Sequence, residues 1–99
     1  MSDGEQPAGG ALRRTCRIRN RLGMHARSAA AFVQTATRFR CEVWVERDTQ
    51  RVNGKSIMGV LMLAASKGTQ ITVETAGEDA APALEALGDL VDNGFGEPT

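Results

Sequence analysis

Short segments of two different periodicities alternate along this chain, and their order limits the folds open to it. Segments that alternate polar and apolar residues are typical of strands with one buried face, and segments with apolar residues at helical spacing are typical of amphipathic helices. The strand-like segments are residues 14–19, 41–46, 50–53 and 70–75, and the helical ones are residues 26–37, 57–67 and 80–92. The order βαββαβα predicts an α+β fold of two layers, in which the helices cover one face of a mainly antiparallel sheet.

Capping residues mark where the predicted helices begin and end. Ser56 and Asp79 are the expected N-caps of the second and third helices. Gly68 and Gly94 follow their last residues, where glycine supplies the left-handed conformation that ends many helices. The apolar face predicted for the second helix consists of Ile57, Val60, Leu61 and Ala64.

The composition allows one hydrophobic core of modest size and provides no apolar segment long enough to cross a membrane. The chain has 99 residues, which is enough for one domain. Its longest apolar run, residues 60–65, has six residues, whereas a helix needs about 20 to cross a bilayer. Residues 1–12 are acidic and rich in Gly and Pro, and they lack the basic start and apolar stretch of a secretory signal. We therefore expect a cytoplasmic protein with a flexible N-terminal extension over residues 1–12.

The two cysteines are expected to have a structural role rather than a reactive or metal-binding one. Cys16 and Cys41 each fall on the apolar phase of a strand-like segment, so we expect two buried, reduced thiols. Together with one histidine they do not make a four-ligand zinc set. The sequence therefore predicts neither a metal site nor a cofactor.

Charge is unevenly distributed along a chain whose net charge is zero. Residues 13–55 contain eleven basic and three acidic side chains, whereas residues 56–99 contain one basic and seven acidic side chains. The basic part would attract acidic partners at low salt. Nucleic acid is a weak alternative, because the chain has no recognition-helix motif and aromatic residues make up only 4% of it. A solvated surface without a partner remains the other interpretation.

His25 is the only histidine, and it lies where a loop becomes the first predicted helix. A helix N-terminus offers unpaired N–H donors and partial positive charge, which favour a phosphate beside a nucleophilic imidazole nitrogen. The small residues Ala26 and Ser28 leave the ring uncrowded, and Arg27 adds a cation. The same partial charge should keep the ring neutral. A histidine here can also be only a cap or a surface residue.

Ser56 is the second candidate. The residues Gly54-Lys55-Ser56 look like the end of a phosphate-binding P-loop, but Thr49 occupies the position of the first glycine. A helix cap is the simpler role. A phosphorylated Ser56 would place a dianion beside first-turn N–H groups and Lys55.

Two motifs surround the candidate residues. The first is Leu22-Gly23-Met24-His25-Ala26-Arg27, and the second is Val52-Asn53-Gly54-Lys55-Ser56-Ile57-Met58-Gly59-Val60-Leu61. Both resemble the HPr family, the histidine-containing phosphocarriers of the phosphoenolpyruvate-dependent phosphotransferase system. Lys67-Gly68 and the ending Asn93-Gly94-Phe95-Gly96-Glu97 are also similar to the family. The resemblance spans residues 13–97, which we take as one phosphocarrier domain.

The resemblance implies an open-faced β-sandwich with sheet order 1-4-2-3. It implies that His25 accepts a phosphoryl group on Nδ1 from enzyme I and passes it to EIIA domains. The start of the first helix, Ala26, Arg27 and Ser28, would hold the phosphate, with Arg27 balancing its charge. HPr kinase/phosphorylase, where present, would phosphorylate Ser56. Met24, Met58 and Leu61 would join the surface on which partners dock.

Further expectations concern assembly, one departure from the family and one alternative function. We expect a monomer that neither inserts into membranes nor binds nucleic acid. Ser28 stands where the family usually has proline, and the loss of proline could loosen the loop around His25 and change the lifetime of the phosphate. The alternative is a regulatory module of the same fold that docks on other proteins and carries no phosphate on histidine.

Overall fold

Four antiparallel strands form a sheet in the order β1-β4-β2-β3. The structure, a computed structural model, describes residues 10–99. The elements of this part of the chain are β1 (Leu12–Arg17), α1 (Ala26–Thr37), β2 (Glu42–Arg47), β3 (Gln50–Asn53), α2 (Ile57–Met62), β4 (Gln70–Ala76) and α3 (Ala80–Asp92), followed by a 3-10 turn, Gly94–Gly96. The helices cover one face of the sheet, so the predicted fold class, element order and strand order are confirmed.

The start of the folded part lies earlier than the expected residue 13. β1 begins at Leu12, and the preceding Ala11 is buried. β1 also ends earlier than predicted, because its last ladder pair joins Arg17 to Gln70. Ile18, an apolar residue of the predicted strand, is buried although it lies outside β1. Residues 1–9 of the predicted flexible extension lie outside the described residues.

The second helix is shorter than its predicted span of residues 57–67. It ends at Met62, and Ala64 has a φ of 51°, a left-handed conformation that stops a helix. This turn directs Leu63 into the core and leaves Ala64 exposed. Ile57, also predicted to be on the buried face, is 42% exposed. The predicted apolar face of α2 was therefore wrong at Ile57 and Ala64.

Aliphatic residues from both layers build the core around Phe32, which is fully buried. Cys16 and Cys41 are buried free thiols, as predicted. Their burial raises the pKa of both thiols above the ordinary value. In the part of the chain described by the structure, no helix has the length and apolarity needed to cross a bilayer.

Asp79 occupies the predicted N-cap position of α3, but its side chain does not cap that helix. Its carboxylate accepts hydrogen bonds from the backbone N–H groups of Arg40 and Cys41, each at 2.9 Å. These bonds lower the pKa of the Asp79 carboxyl. Asp79 therefore ties the start of α3 to the chain entering β2.

The sheet face that the helices leave open carries a charged cluster of two arginines and two glutamates. Arg13 donates to Glu46 at 2.8 Å, and Arg51 donates to Glu74 at 2.9 Å. Arg13 also contacts Glu74, and Arg51 also contacts Glu46. The pKa of the Glu74 carboxyl is lowered chiefly by the hydrogen bond from Arg51, and that of Glu46 chiefly by the bond from Arg13.

This cluster predicts part of the acid sensitivity of the fold. The pKa of Glu74 lies below its ordinary value of 4.5, so its stabilising effect is complete above that pH and is lost as pH falls through the lowered pKa. Glu74→Gln should reduce the free energy of unfolding at pH 7 by about 1 kcal/mol and change it less at pH 3. Urea unfolding at both pH values measures this. The exposed Glu85→Gln serves as the control, and an equal loss at both pH values for Glu74→Gln would contradict the assignment.

Candidate functional site

His25 is the N-cap residue of α1. Its backbone is extended, with φ −119° and ψ −174°, and the helix starts at Ala26 as predicted. The N–H of Arg27 donates to His25 Nδ1 at 3.4 Å, which turns this nitrogen towards the first helical turn. The side chain is 30% exposed. The ring is therefore reachable from solvent and lies at the positive end of the helix.

A close approach between two loops places His25. Gly23 has a φ of 68°, and a Cβ at this position would lie 2.6 Å from the carbonyl oxygen of Ala65, so both the conformation and the space require glycine. The next residue, Met24, donates its N–H to the same carbonyl at 2.8 Å. The side chain of Met24 is only 6% exposed and belongs to the core. A core side chain is not available to a partner, so Met24 does not lie on the docking surface where the resemblance placed it.

Ser28, at the position where the resemblance led us to expect proline, is fully buried. Its Oγ accepts a hydrogen bond from the N–H of His25 at 2.9 Å and contacts the carbonyl oxygens of Gly23 at 2.9 Å and His25 at 3.2 Å. A reciprocal pattern of this kind stabilises a helix start. Ser28 thus fastens the loop to the first turn with hydrogen bonds. The expected change in phosphate lifetime stays a prediction.

Glu97 is the site residue that sequence reasoning missed. Its two carboxylate oxygens lie 2.9 and 3.0 Å from His25 Nε2. An ionised carboxylate only accepts hydrogen bonds, so Nε2 carries the proton. In the neutral ring Nδ1 then has the lone pair, which accepts the hydrogen bond from the N–H of Arg27. The hydrogen bond from His25 is the main reason that the pKa of the Glu97 carboxyl is lowered.

Glu97 gives the two ring nitrogens of His25 different surroundings. Nε2 contacts the carboxylate, whereas Nδ1 faces the positive end of α1. The contact joins residues 72 positions apart, and no local pattern in a single sequence indicates such a pair.

The ring opens into a shallow pocket of about 200 Å³. Its lining residues are Arg21, Leu22, His25, Arg27, Glu97 and Pro98. Within residues 10–99, neither guanidinium of the pocket is within ion-pair distance of a carboxylate. The predicted pair of His25 and Arg27 is thus brought together, and Arg21 adds a second cation that the prediction did not include.

Ser56 is the N-cap of α2, as predicted, and its Oγ accepts a hydrogen bond from the N–H of Gly59 at 3.1 Å. The Lys55 ammonium group donates to the carbonyl oxygen of Phe39 at 2.7 Å. In the unphosphorylated protein this ammonium group therefore has a backbone partner, and its expected contact with a phosphate on Ser56 stays a prediction.

Exposed apolar side chains lie beside both helix starts. Met58 is 71% exposed, whereas Leu61, the other residue expected for docking on α2, is partly buried against the core. The exposed apolar residues that the prediction did not include are Leu22 at 68%, Ile57 at 42% and Met62 at 65%. Met62 follows Met58 by four residues, so the two share a helix face, and this spacing is a sequence signal that could have identified it.

Comparison with known proteins decides the family. The sequence model described as "PTS HPr component phosphorylation site" matches residues 12–93. The chain belongs to the HPr family. It is 55% identical to the phosphocarrier protein HPr of Neisseria meningitidis serogroup A over 86 residues, which are 87% of this chain and 97% of the relative.

Relatives from other organisms agree with this assignment. The phosphocarrier protein HPr of Pseudomonas putida is 53% identical over 81 residues, covering 81% of this chain and 90% of the relative. The crystal structure of HPr-C-His from Thermoanaerobacter tengcongensis superposes with a TM-score of 0.85 at 44% identity, covering 89% of this chain and 99% of that one. The protein is accordingly a phosphocarrier of the phosphotransferase system.

Proposed function

We propose that His25 is the phosphoryl carrier, accepting the group on Nδ1 from phosphorylated enzyme I and passing it to EIIA domains. The observation that carries this proposal is the pairing of Nε2 with Glu97, which leaves the lone pair of the neutral ring on Nδ1. Nδ1 lies at the start of α1, where the N–H of Arg27 points to it and first-turn N–H groups would hold a phosphoryl group on this nitrogen.

The site positions the phosphoryl group and neutralises its negative charge. The phosphoryl oxygens are held by the first-turn amides near Ala26, Arg27 and Ser28 and by the Arg27 guanidinium. Because Arg27 is exposed at the pocket, it can pair with the phosphoryl group during transfer without breaking an ion pair within residues 10–99. Arg21 lines the same pocket and adds positive potential.

Partner proteins reach the site over the exposed apolar side chains beside it. Leu22 lines the pocket, and Met58 is the most exposed large apolar residue of α2. Leu61 joins this surface at its partly buried edge. We propose that enzyme I and EIIA domains dock here on a cytoplasmic monomer, and that HPr kinase/phosphorylase, where present, acts on Ser56.

A module that only binds other proteins is less well supported. Such a module has no chemical need for a solvent-accessible histidine whose Nε2 contacts a largely covered carboxylate and whose Nδ1 lies at a helix start. Uptake of one acid-labile phosphoryl group from phosphoenolpyruvate and enzyme I, read by intact mass, separates the two functions.

Removing the only histidine tests the carrier directly. His25→Ala should abolish phosphoryl uptake from phosphorylated enzyme I, because no other imidazole exists in the chain. Intact mass before and after acid treatment measures the loss. Circular dichroism should show an unchanged fold. Acid-labile phosphate on the variant would place the site elsewhere.

Arg27 should accelerate transfer without being needed for folding. Arg27→Ala removes a cation that stabilises the phosphoryl oxygens, so transfer from enzyme I should slow about 10- to 100-fold. Rapid-quench labelling gives the rate. Arg38→Ala, at the other end of α1, is the matched control and should transfer at the wild-type rate. A wild-type rate for Arg27→Ala would remove the residue from the mechanism.

Charge at Ser56 should weaken the encounter with enzyme I. A phosphate adds about two negative charges beside the exposed apolar residues of α2, and Ser56→Asp imitates part of this. We expect a roughly 3- to 10-fold higher KM for the variant in transfer from enzyme I. Ser56→Ala controls for loss of the cap, and Ser66→Asp controls for charge at an exposed serine outside α2. Equal KM values for Ser56→Asp and Ser56→Ala would contradict regulation by charge.

A further inference from the structure

Asn20 is a fully buried amide in the loop before His25. Its Nδ2 donates to the carbonyl oxygen of Gly23 at 2.7 Å and to Glu97 Oε1 at 2.9 Å. Its Oδ1 has no hydrogen-bond partner within residues 10–99. Burying an amide with an unsatisfied oxygen costs free energy. In return, the side chain positions two groups at once, the carbonyl oxygen of Gly23 and the Glu97 carboxylate that contacts His25.

The turn after α3 brings Glu97 into contact with Asn20 and His25. Gly94, Phe95 and Gly96 all have positive φ values, 62°, 57° and 71°, and turn the chain back after α3. Phe95 adopts this conformation, which is unfavourable for a residue with a Cβ, while packing against the core. The N–H of Arg21 then donates to the carbonyl oxygen of Pro98 at 2.8 Å.

These contacts distinguish the pair of Glu97 and His25 from a chance surface ion pair. The Glu97 side chain is only 9% exposed. Asn20 donates a hydrogen bond to its carboxylate, and the N–H of Arg21 donates to the carbonyl oxygen of the next residue, Pro98. A carboxylate held in this way keeps its position when the ring reacts.

We propose that Glu97, held in place by Asn20, is the positioning residue that selects which nitrogen of His25 receives the phosphoryl group. Glu97 retains the proton on Nε2 in both the free and the phosphorylated ring. Asn20 acts through Glu97 and touches neither the ring nor the phosphoryl group. This inference rests on the proposed carrier function and adds the residues that control its regiochemistry.

The transfer steps balance with this assignment. The lone pair of Nδ1 forms the bond to phosphorus, and the electron pair of the breaking P–N bond returns to the donor histidine. The ring now bears phosphate on Nδ1 and the proton on Nε2, and its positive charge faces the Glu97 carboxylate. When an acceptor attacks the phosphorus, the P–N electrons return to Nδ1, and the ring leaves neutral with its Nε2 proton still in place.

The unphosphorylated protein allows a first test that needs no partner. Nitrogen-15 spectra of the neutral His25 ring should show the proton on Nε2 in the wild type. Glu97→Ala should give a mixture of both tautomers, because the acceptor is gone. Glu85→Gln on α3 lies outside the pocket and should leave the spectrum unchanged. Unaltered ring shifts in Glu97→Ala would overturn the proposal.

A double-mutant cycle tests the role of Asn20. Asn20→Ala should slow transfer from enzyme I about tenfold in the wild-type background and not slow it further in the Glu97→Ala background. Because Asn20→Ala also loses its bond to Gly23 in both backgrounds, a merely structural effect would appear equally in the two. Equal slowing in both backgrounds would therefore refute the coupling.

Glu97→Gln separates hydrogen bonding from charge. Its amide oxygen, which the Asn20 Nδ2 group orients, still accepts from Nε2, so the tautomer should be kept. Uptake from enzyme I should slow, because the positive ring that forms on phosphorylation no longer faces a carboxylate. Transfer at the wild-type rate would show that the charge of Glu97 is not used. If the wild type takes up no phosphoryl group, the carrier function fails, whereas the tautomer experiment still decides the role of Glu97.

Discussion

The pairing of β4 with both β1 and β2 is the constraint on which the rest of the molecule depends. It places the first strand of the fold beside the strand that immediately precedes α3. The segment after α3 therefore returns to the loop that follows β1. A carboxylate near one end of the chain and a histidine near the other thus meet at one corner of the structure.

Local patterns predicted the elements well where the local signals and the tertiary contacts agree. The bounds of α1 were correct because a polar cap at His25 precedes residues whose apolar spacing matches the covered face of the sheet. The predicted end of α2 was wrong because Ala64 takes a left-handed conformation that no local sequence signal indicates. The strand order came from resemblance to the family, since alternation shows which residues face the core but not which strands are neighbours.

The residues of the candidate site also fall into two groups, those with a local sequence signal and those brought together by tertiary contacts. His25, Arg27 and Ser56 are local features of helix starts, and the sequence indicated all three. The contacts of Glu97 and Asn20 join distant segments and are invisible to local periodicity. Met24 adjoins His25 in sequence, yet its side chain is buried in the core. Neighbourhood along the chain is therefore a poor guide to which side chains a partner can touch.

The chain has one tryptophan, and its location has a practical consequence. Trp44 lies in β2 on the open sheet face, with the guanidinium carbon of Arg51 4.9 Å from its ring centre. Its emission is therefore expected to change when the sheet unfolds. His25 lies at the start of α1, in the other layer, so an optical probe of its proposed phosphorylation has to be introduced on the helical side.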